Sequence, residues 1–152
     1  MHMRKTIIDP DAGNELLTDS DAVSETAYSR GVAVEFDGYT RVFLSGVTPV
    51  ETASDSIEAQ TREVLETIQA LLEQQGGEMT DAVRIRVFVQ DVMEAEFETI
   101  HAVRGEFFER EHLPASSLLE IGSIVRGNIE IEIEAVIPNS EWTVDHAPSP
   151  LS

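Results

Sequence analysis

Five segments of the chain are predicted to be β-strands. In most of them apolar and polar residues alternate, which is the period of a strand with one buried face. Asp37-Gly38 lies between the first two segments and is a common hairpin turn, so we expect these two strands to pair antiparallel. The predicted strands are residues 31–36, 40–45, 82–89, a short one around 118–121, and 128–137.

Two further segments have the period of an amphipathic helix. In the first, from Ile57 to Gln75, the apolar residues recur on one helical face, and Gly76-Gly77 ends the segment. Asp55 and Glu58 have the spacing of a capping box at its start. The second helix is expected from about Glu94 to Glu111. The resulting order, ββαβαββ, predicts an α+β domain in which both helices cover one face of a single mixed sheet.

The chain divides into three parts. Residues 1–27 are polar and weakly patterned, so we expect irregular structure with at most one edge strand. Residues 28–138 form the predicted domain. Residues 139–152 are polar and include Pro148 and Pro150, which favours a mobile tail.

The sheet face away from the helices carries a mixture of charged and apolar side chains. Three glutamates alternate with isoleucines on the last strand, and two arginines with matching spacing could pair with them: Glu130, Glu132, Glu134, Arg84 and Arg86. Such a face is too charged for a monomer core, so we expect a second subunit to pack there. One glutamate in a cleft could instead hold a water molecule or accept a proton.

The net charge of −19 comes from 29 acidic and 10 basic residues, and Lys5 is the only lysine. Self-repulsion of this size destabilises the compact state unless salt screens it, so we expect a halophilic protein. Nucleic-acid binding needs clustered basic residues, and no segment has them. No stretch approaches the roughly 18 apolar residues that span a membrane. The basic start is not followed by an apolar segment, so we expect a cytoplasmic protein.

Metal and nucleophile motifs are missing from the sequence. There is no cysteine, and the four histidines do not have metal-ligand spacing with a carboxylate. His101 and His112 are too far apart along one helix to share a metal. The sequence therefore predicts no metal site.

Taken together, several short segments resemble the RidA family, also called YjgF-like proteins. The resemblance covers about residues 28–137 and implies a chorismate-mutase-like fold, a homotrimer with a central barrel, and small-molecule clefts between subunits. The activity it implies is hydrolysis of reactive imines and enamines to 2-oxo acids and ammonia, without a cofactor. The segments are Tyr28-x-x-Gly31, Leu44-Ser45-Gly46, residues 58–61, residues 81–83, Val87-Phe88-Val89-x-Asp91, Phe107-Phe108, Pro114-Ala115-x-Ser117 and residues 132–135.

The resemblance also identifies candidate site residues. Glu132 matches the glutamate associated with the catalytic water, and His101 stands where the family often has asparagine and could act as an acid or base. The substrate-binding candidates are Tyr28, Ser45, Gly46, Ser116, Ser117 and Arg126.

The main departure from the family pattern is Ser116, which replaces an arginine that forks onto the substrate carboxylate. Losing that contact costs roughly 2–5 kcal/mol of binding. Arg126 or Arg30 could supply the missing charge.

Three functions are compatible with the resemblance. The sequence favours a small-molecule-binding protein without classical 2-imino acid deaminase activity, because the carboxylate anchor is lost. The alternative is an imine or enamine deaminase, or a hydrolase on a related carbonyl compound. The family's older description, a ribonuclease or translation inhibitor, is disfavoured by the acidic charge.

Overall fold

The computed structural model describes residues 2–17, 23 and 25–151. Its centre is one six-stranded sheet in the order β1-β2-β3-β6-β4-β5, in which β4 and β5 are parallel and the other neighbours are antiparallel. The strands are β1 Lys5–Ile8, β2 Gly31–Phe36, β3 Tyr39–Val47, β4 Ala82–Val89, β5 Ala115–Glu120 and β6 Ile129–Pro138. The helices are α1 Ile57–Gln74 and α2 Glu94–Phe107, and short 3-10 turns occupy Asn14–Leu16, Met79–Asp81 and Arg110–His112.

One hydrophobic core lies between the sheet and the two helices. Ile85 and Val87 of β4 and Ile131 and Ile133 of β6 are fully or almost fully buried. They pack in the same cluster as residues of both helices, among them Leu65 of α1 and Ile100 of α2. The predicted α+β architecture, with both helices on one sheet face, is therefore confirmed.

The helix ends differ from their predicted positions. Ser56, not Asp55, caps α1, because its side chain accepts a hydrogen bond from the Ala59 N–H at 3.2 Å. The second helix ends at Phe107 instead of Glu111. Phe108 has an extended backbone, which turns its side chain into the core, where it is 8% exposed.

Two strands also differ from expectation. β5 begins at Ala115, so the two serines that follow Pro114 lie in a strand and not in a loop. Parallel pairing with β4 extends this edge strand beyond the part that its own hydrophobic pattern indicates. Val83 lies two residues before Ile85, on the same face of the alternating pattern, but it is 40% exposed because the register with β6 shifts between Ala82 and Arg84.

A second register shift, between β3 and β6, matters for the site. Leu44 pairs with Ile133 and Val47 with Ile131, so Ser45 and Gly46 together lie opposite the single residue Glu132. This extra residue is a β-bulge, a device that redirects side chains locally.

Outside the sheet, the beginning of the C-terminal segment is attached to the domain, since Trp142 Nε1 donates a hydrogen bond to Asp81 Oδ1 at 2.8 Å. None of the described helices is long and apolar enough to cross a membrane.

Candidate functional site

A cleft of about 460 Å³ lies where the bulge of β3 meets the start of β6. Five of the predicted site residues line it, and so does Arg30, which the sequence offered as a substitute cation. The lining also includes Glu130, which the sequence did not separate from the other glutamates of β6. We call the following residues the carboxylate cleft: Tyr28, Arg30, Ser45, Gly46, Arg126, Glu130 and Glu132.

Hydrogen bonds from the bulge fix one wall of the carboxylate cleft. The Ser45 hydroxyl donates to the Ser29 carbonyl at 2.8 Å, and the Ser45 N–H donates to the Arg30 carbonyl at 2.9 Å. Arg30 Nη1 in turn donates to the Gly46 carbonyl at 3.2 Å. This cross-linking holds the Arg30 guanidinium beside the acidic side of the cleft.

The Glu130 side chain approaches the backbone closely at Gly46. A Cβ atom at Gly46 would lie 2.3 Å from Glu130 Oε2 and 2.7 Å from Glu130 Cδ. The Glu130 carboxyl group therefore rests directly on the bulge. A hydrogen at this position is what allows the carboxyl group to fold over the strand.

The acidic side of the cleft holds two carboxyl groups in different environments. Burial raises the pKa of Glu130, the neighbouring charge of Glu132 raises it further, and Arg30 partly opposes both effects. Glu132 has a cationic neighbour of its own, since Arg86 Nη1 lies 3.9 Å from its Oε1. Two neighbouring carboxyls in different surroundings, one partly buried and one beside a cation, can act as a proton donor and a proton acceptor.

Arg126, another predicted residue of the cleft, has an acidic partner. Arg126 is mostly buried, with 24% of its side chain exposed, and its Nη2 lies 3.7 Å from Glu15 Oε1. Glu15 therefore partly neutralises the positive charge of Arg126.

Three predicted site residues lie outside the carboxylate cleft. Ser117 is aligned with Arg86 on β4, which is aligned with Glu132 on β6, so Ser117 lies two strand spacings, about 10 Å, from Glu132. Ser116 is on the opposite face of β5, toward the helices, and His101 is exposed on α2. Within one chain, therefore, the predicted site residues do not form a single site.

Arg104 is a residue that sequence reasoning missed. It lies in the last turn of α2, and its Nη2 donates a hydrogen bond to Ser116 Oγ at 2.8 Å. Burial lowers the pKa of this guanidinium. We call His101, Arg104 and Ser116 the edge patch, because they lie on β5, the edge strand, and on the helix beside it.

A second cavity, of about 560 Å³, lies between the C-terminal segment and the start of β4. Trp142, His112 and His146 contribute to its lining, and none of the predicted site residues does. No group of three side chains suited to binding a metal ion occurs in the part of the chain that the structure describes.

Comparisons with known proteins agree with this fold. A family model described as Endoribonuclease L-PSP matches residues 19–137. The chain is 34% identical to 3-aminoacrylate deaminase RutC of Acinetobacter baylyi, over 62% of this chain and 76% of the relative. It is 33% identical to 2-iminobutanoate/2-iminopropanoate deaminase of Salmonella typhimurium, over 62% of this chain and 77% of the relative.

Solved structures show the same similarity. A YjgF-family protein of Mycobacterium tuberculosis superposes with a TM-score of 0.66 at 27% identity, covering 88% of this chain and all of the other. RidA of a Psychrobacter species superposes with a TM-score of 0.61 at 25% identity, covering 74% of this chain and 89% of the other. With a family model matching most of its length, the chain belongs to the RidA (YjgF-like) family.

Proposed function

We propose that this protein hydrolyses small imines or enamines in clefts between the subunits of a homotrimer. The observation that carries the proposal is the pair Glu130 and Glu132, two carboxyls side by side in one cleft, the first with a pKa raised by burial and the second beside Arg86. The similarity to relatives named as imine and aminoacrylate deaminases supports the same reaction class.

The arrangement of the candidate residues supports an assembly of subunits. The carboxylate cleft and the edge patch lie on different parts of the chain, and neither alone surrounds a ligand. The open sheet face between them is only partly buried and carries Arg86, Phe88 and Glu134. Packing this face against other copies would cover it. In the assembly that we propose, the edge strand of one subunit also meets the carboxylate cleft of the next, so that the edge patch and the cleft share one site.

The chemistry needs a water molecule and two proton transfers. Glu132, as the carboxylate, accepts a proton from water while the water oxygen bonds to the imine carbon. Glu130, as the acid, donates its proton to the imine nitrogen, which gives a neutral carbinolamine. Collapse of this intermediate forms the carbonyl group and breaks the C–N bond. The hydroxyl proton returns to Glu130, and the proton held by Glu132 passes to the departing nitrogen, so ammonia leaves and both carboxyls regain their starting states.

A second candidate function is binding without turnover. It is favoured by Ser116, which puts a neutral hydroxyl where the family resemblance implies a carboxylate-binding arginine. The net charge of −19 disfavours a nucleic-acid ligand for either candidate function.

The test is to generate 2-aminoacrylate in molar salt, add the protein, and time the release of pyruvate. We expect acceleration by the wild type and a loss of at least about 100-fold in Glu132→Gln, the scale of general acid–base catalysis. A wild type that binds 2-oxobutanoate but does not accelerate release would favour the second function. Light scattering should give the mass of a trimer, and a monomer would contradict the shared cleft.

A further inference from the structure

We propose that Arg104, held in position by Ser116, binds the anionic group of the ligand. This inference rests on the proposed function, because it assigns the ligand-recognition residue of the same site. The Arg104 guanidinium would supply from α2 the positive charge that the family resemblance implies at position 116 of the strand.

The first support is the position of the guanidinium. Arg104 Nη2 lies 2.8 Å from Ser116 Oγ, so the cationic group reaches across from α2 to the edge strand. The hydroxyl contact orients the planar guanidinium and occupies one of its nitrogen atoms. The other nitrogens have no hydrogen-bond partner among the described residues, and their planar arrangement fits a carboxylate.

The second support is the missing counter-ion. Four arginines of this chain have carboxylate partners within 4.0 Å: Arg4, Arg62, Arg86 and Arg126. Arg104 is one of five arginines that have none among the described residues, and it differs from Arg30, Arg41, Arg84 and Arg110 in that its guanidinium is held by a side-chain hydroxyl of the edge strand. A partly buried cation without a partner is costly to maintain, and an anionic ligand would remove that cost.

The third support is the surrounding chemistry. His101 precedes Arg104 by three residues on α2, so the two side chains share one side of the helix. His101 is exposed and adds no negative charge to the patch. The carboxylate cleft, in contrast, has Glu130 and Glu132 beside its own arginines, which makes it a poorer place for an anion. A 2-imino acid has a carboxylate at one end and the imine at the other, so it would need both surfaces.

A structural alternative is that Arg104 only braces α2 against β5. The two roles differ in what they recognise. An anion-binding arginine affects ligands that carry a carboxylate and leaves their neutral analogues unchanged. A brace affects all ligands equally, together with the stability of the protein.

The experiment measures binding of 2-oxobutanoate and of its neutral amide by calorimetry, and 2-aminoacrylate turnover, in molar salt. We expect Arg104→Ala to raise the Kd of the acid about 30-fold or more, the range for truncating one partner of a desolvated charge pair. The Kd of the amide should change less than about twofold. Arg104→Lys should recover only part of the loss, because it keeps the charge without the fork. The double variant Arg104→Ala, Ser116→Arg should recover more.

Arg62→Ala is the matched control. Arg62 is a helix arginine whose Nη2 lies 2.7 Å from Glu106 Oε2, so its loss breaks an ion pair between the helices away from β5. It should leave both Kd values unchanged. Light scattering and thermal unfolding of every variant identify those that no longer assemble.

The outcomes separate this inference from the proposed function. A wild type that binds neither compound and does not accelerate pyruvate release would overturn both. A wild type that is active, with Arg104→Ala equally active and equally tight for the acid, would overturn only the role of Arg104. Equal losses for acid and amide in Arg104→Ala would show a brace and would also overturn it.

Discussion

Replacing Gly46 by alanine tests the geometry of the carboxylate cleft most directly. The new Cβ would lie 2.3 Å from Glu130 Oε2, far inside the 3.4 Å at which ordinary contact begins. Gly46 has no left-handed backbone conformation, so the strand itself accepts alanine. The flexible Glu130 side chain must therefore move by about 1 Å while the sheet stays in place.

The expected effect is large on catalysis and small on stability. A misplacement of about 1 Å in a catalytic group can cost about 100-fold in rate. We expect kcat/KM for 2-aminoacrylate hydrolysis to fall by about that factor in Gly46→Ala, with the unfolding free energy changed by less than about 1 kcal/mol. Pyruvate release measures the first quantity, and urea unfolding in molar salt measures the second.

Gly122→Ala is the control for this substitution. Nothing lies within 4 Å of a Cβ at Gly122, so this variant should keep both its activity and its stability. The reasoning would be refuted if Gly46→Ala kept wild-type kcat/KM in an enzyme that needs Glu132. Retained activity in Glu130→Gln would also refute the proposed role of the Glu130 carboxyl group.

Four further predictions concern stability. Burial alone would raise the pKa of Glu63, but hydrogen bonds from the Thr52 hydroxyl and from backbone N–H groups of residues 50–52 more than offset this and lower it. Glu63→Gln should therefore cost about 1–2 kcal/mol at neutral pH. The difference should shrink as the pH falls through that lowered pKa, and a pH-independent cost in urea titrations would contradict it. The raised pKa of Glu130 has the opposite effect on stability, because it disfavours the ionised form in the folded state. Glu130→Gln should therefore stabilise the protein at neutral pH, and this gain should disappear below the unfolded pKa of about 4.3. Gly105→Ala, in α2 with no atoms near its Cβ, should add about 0.5–1 kcal/mol in the same titrations, and destabilisation would mean that the site is not open. The urea midpoint of the wild type should rise from low to molar salt, and equal midpoints would refute the halophilic prediction.

Local patterns were enough to predict most of the secondary structure. In β6 isoleucine and glutamate alternate, which is the period of a strand, and in α1 the apolar residues recur with the period of a helix. Both patterns lie within one segment, so they predict the element without knowledge of its neighbours in space. The same alternation indicated that Glu132 and Arg86 point to the open face, and the ion pair of Arg86 with Glu132 and Glu134 confirms it. Edge strand β5 was less predictable, because its pairing with β4 and not its own pattern defines its start.

Two features of the site came only from the tertiary structure. The bulge that places Ser45 and Gly46 opposite Glu132 depends on the register between strands far apart in sequence, and it singles out Glu130 as the carboxyl resting on Gly46. The contact between Arg104 and Ser116 joins a helix to a strand, and nothing in either segment alone indicates it. The sequence by itself identified the family and the order of the elements, and the family resemblance predicted that Ser116 takes the place of an arginine. Where a replacement charge lies was decided by packing, because a guanidinium at the end of a long side chain can reach a site from any neighbouring element.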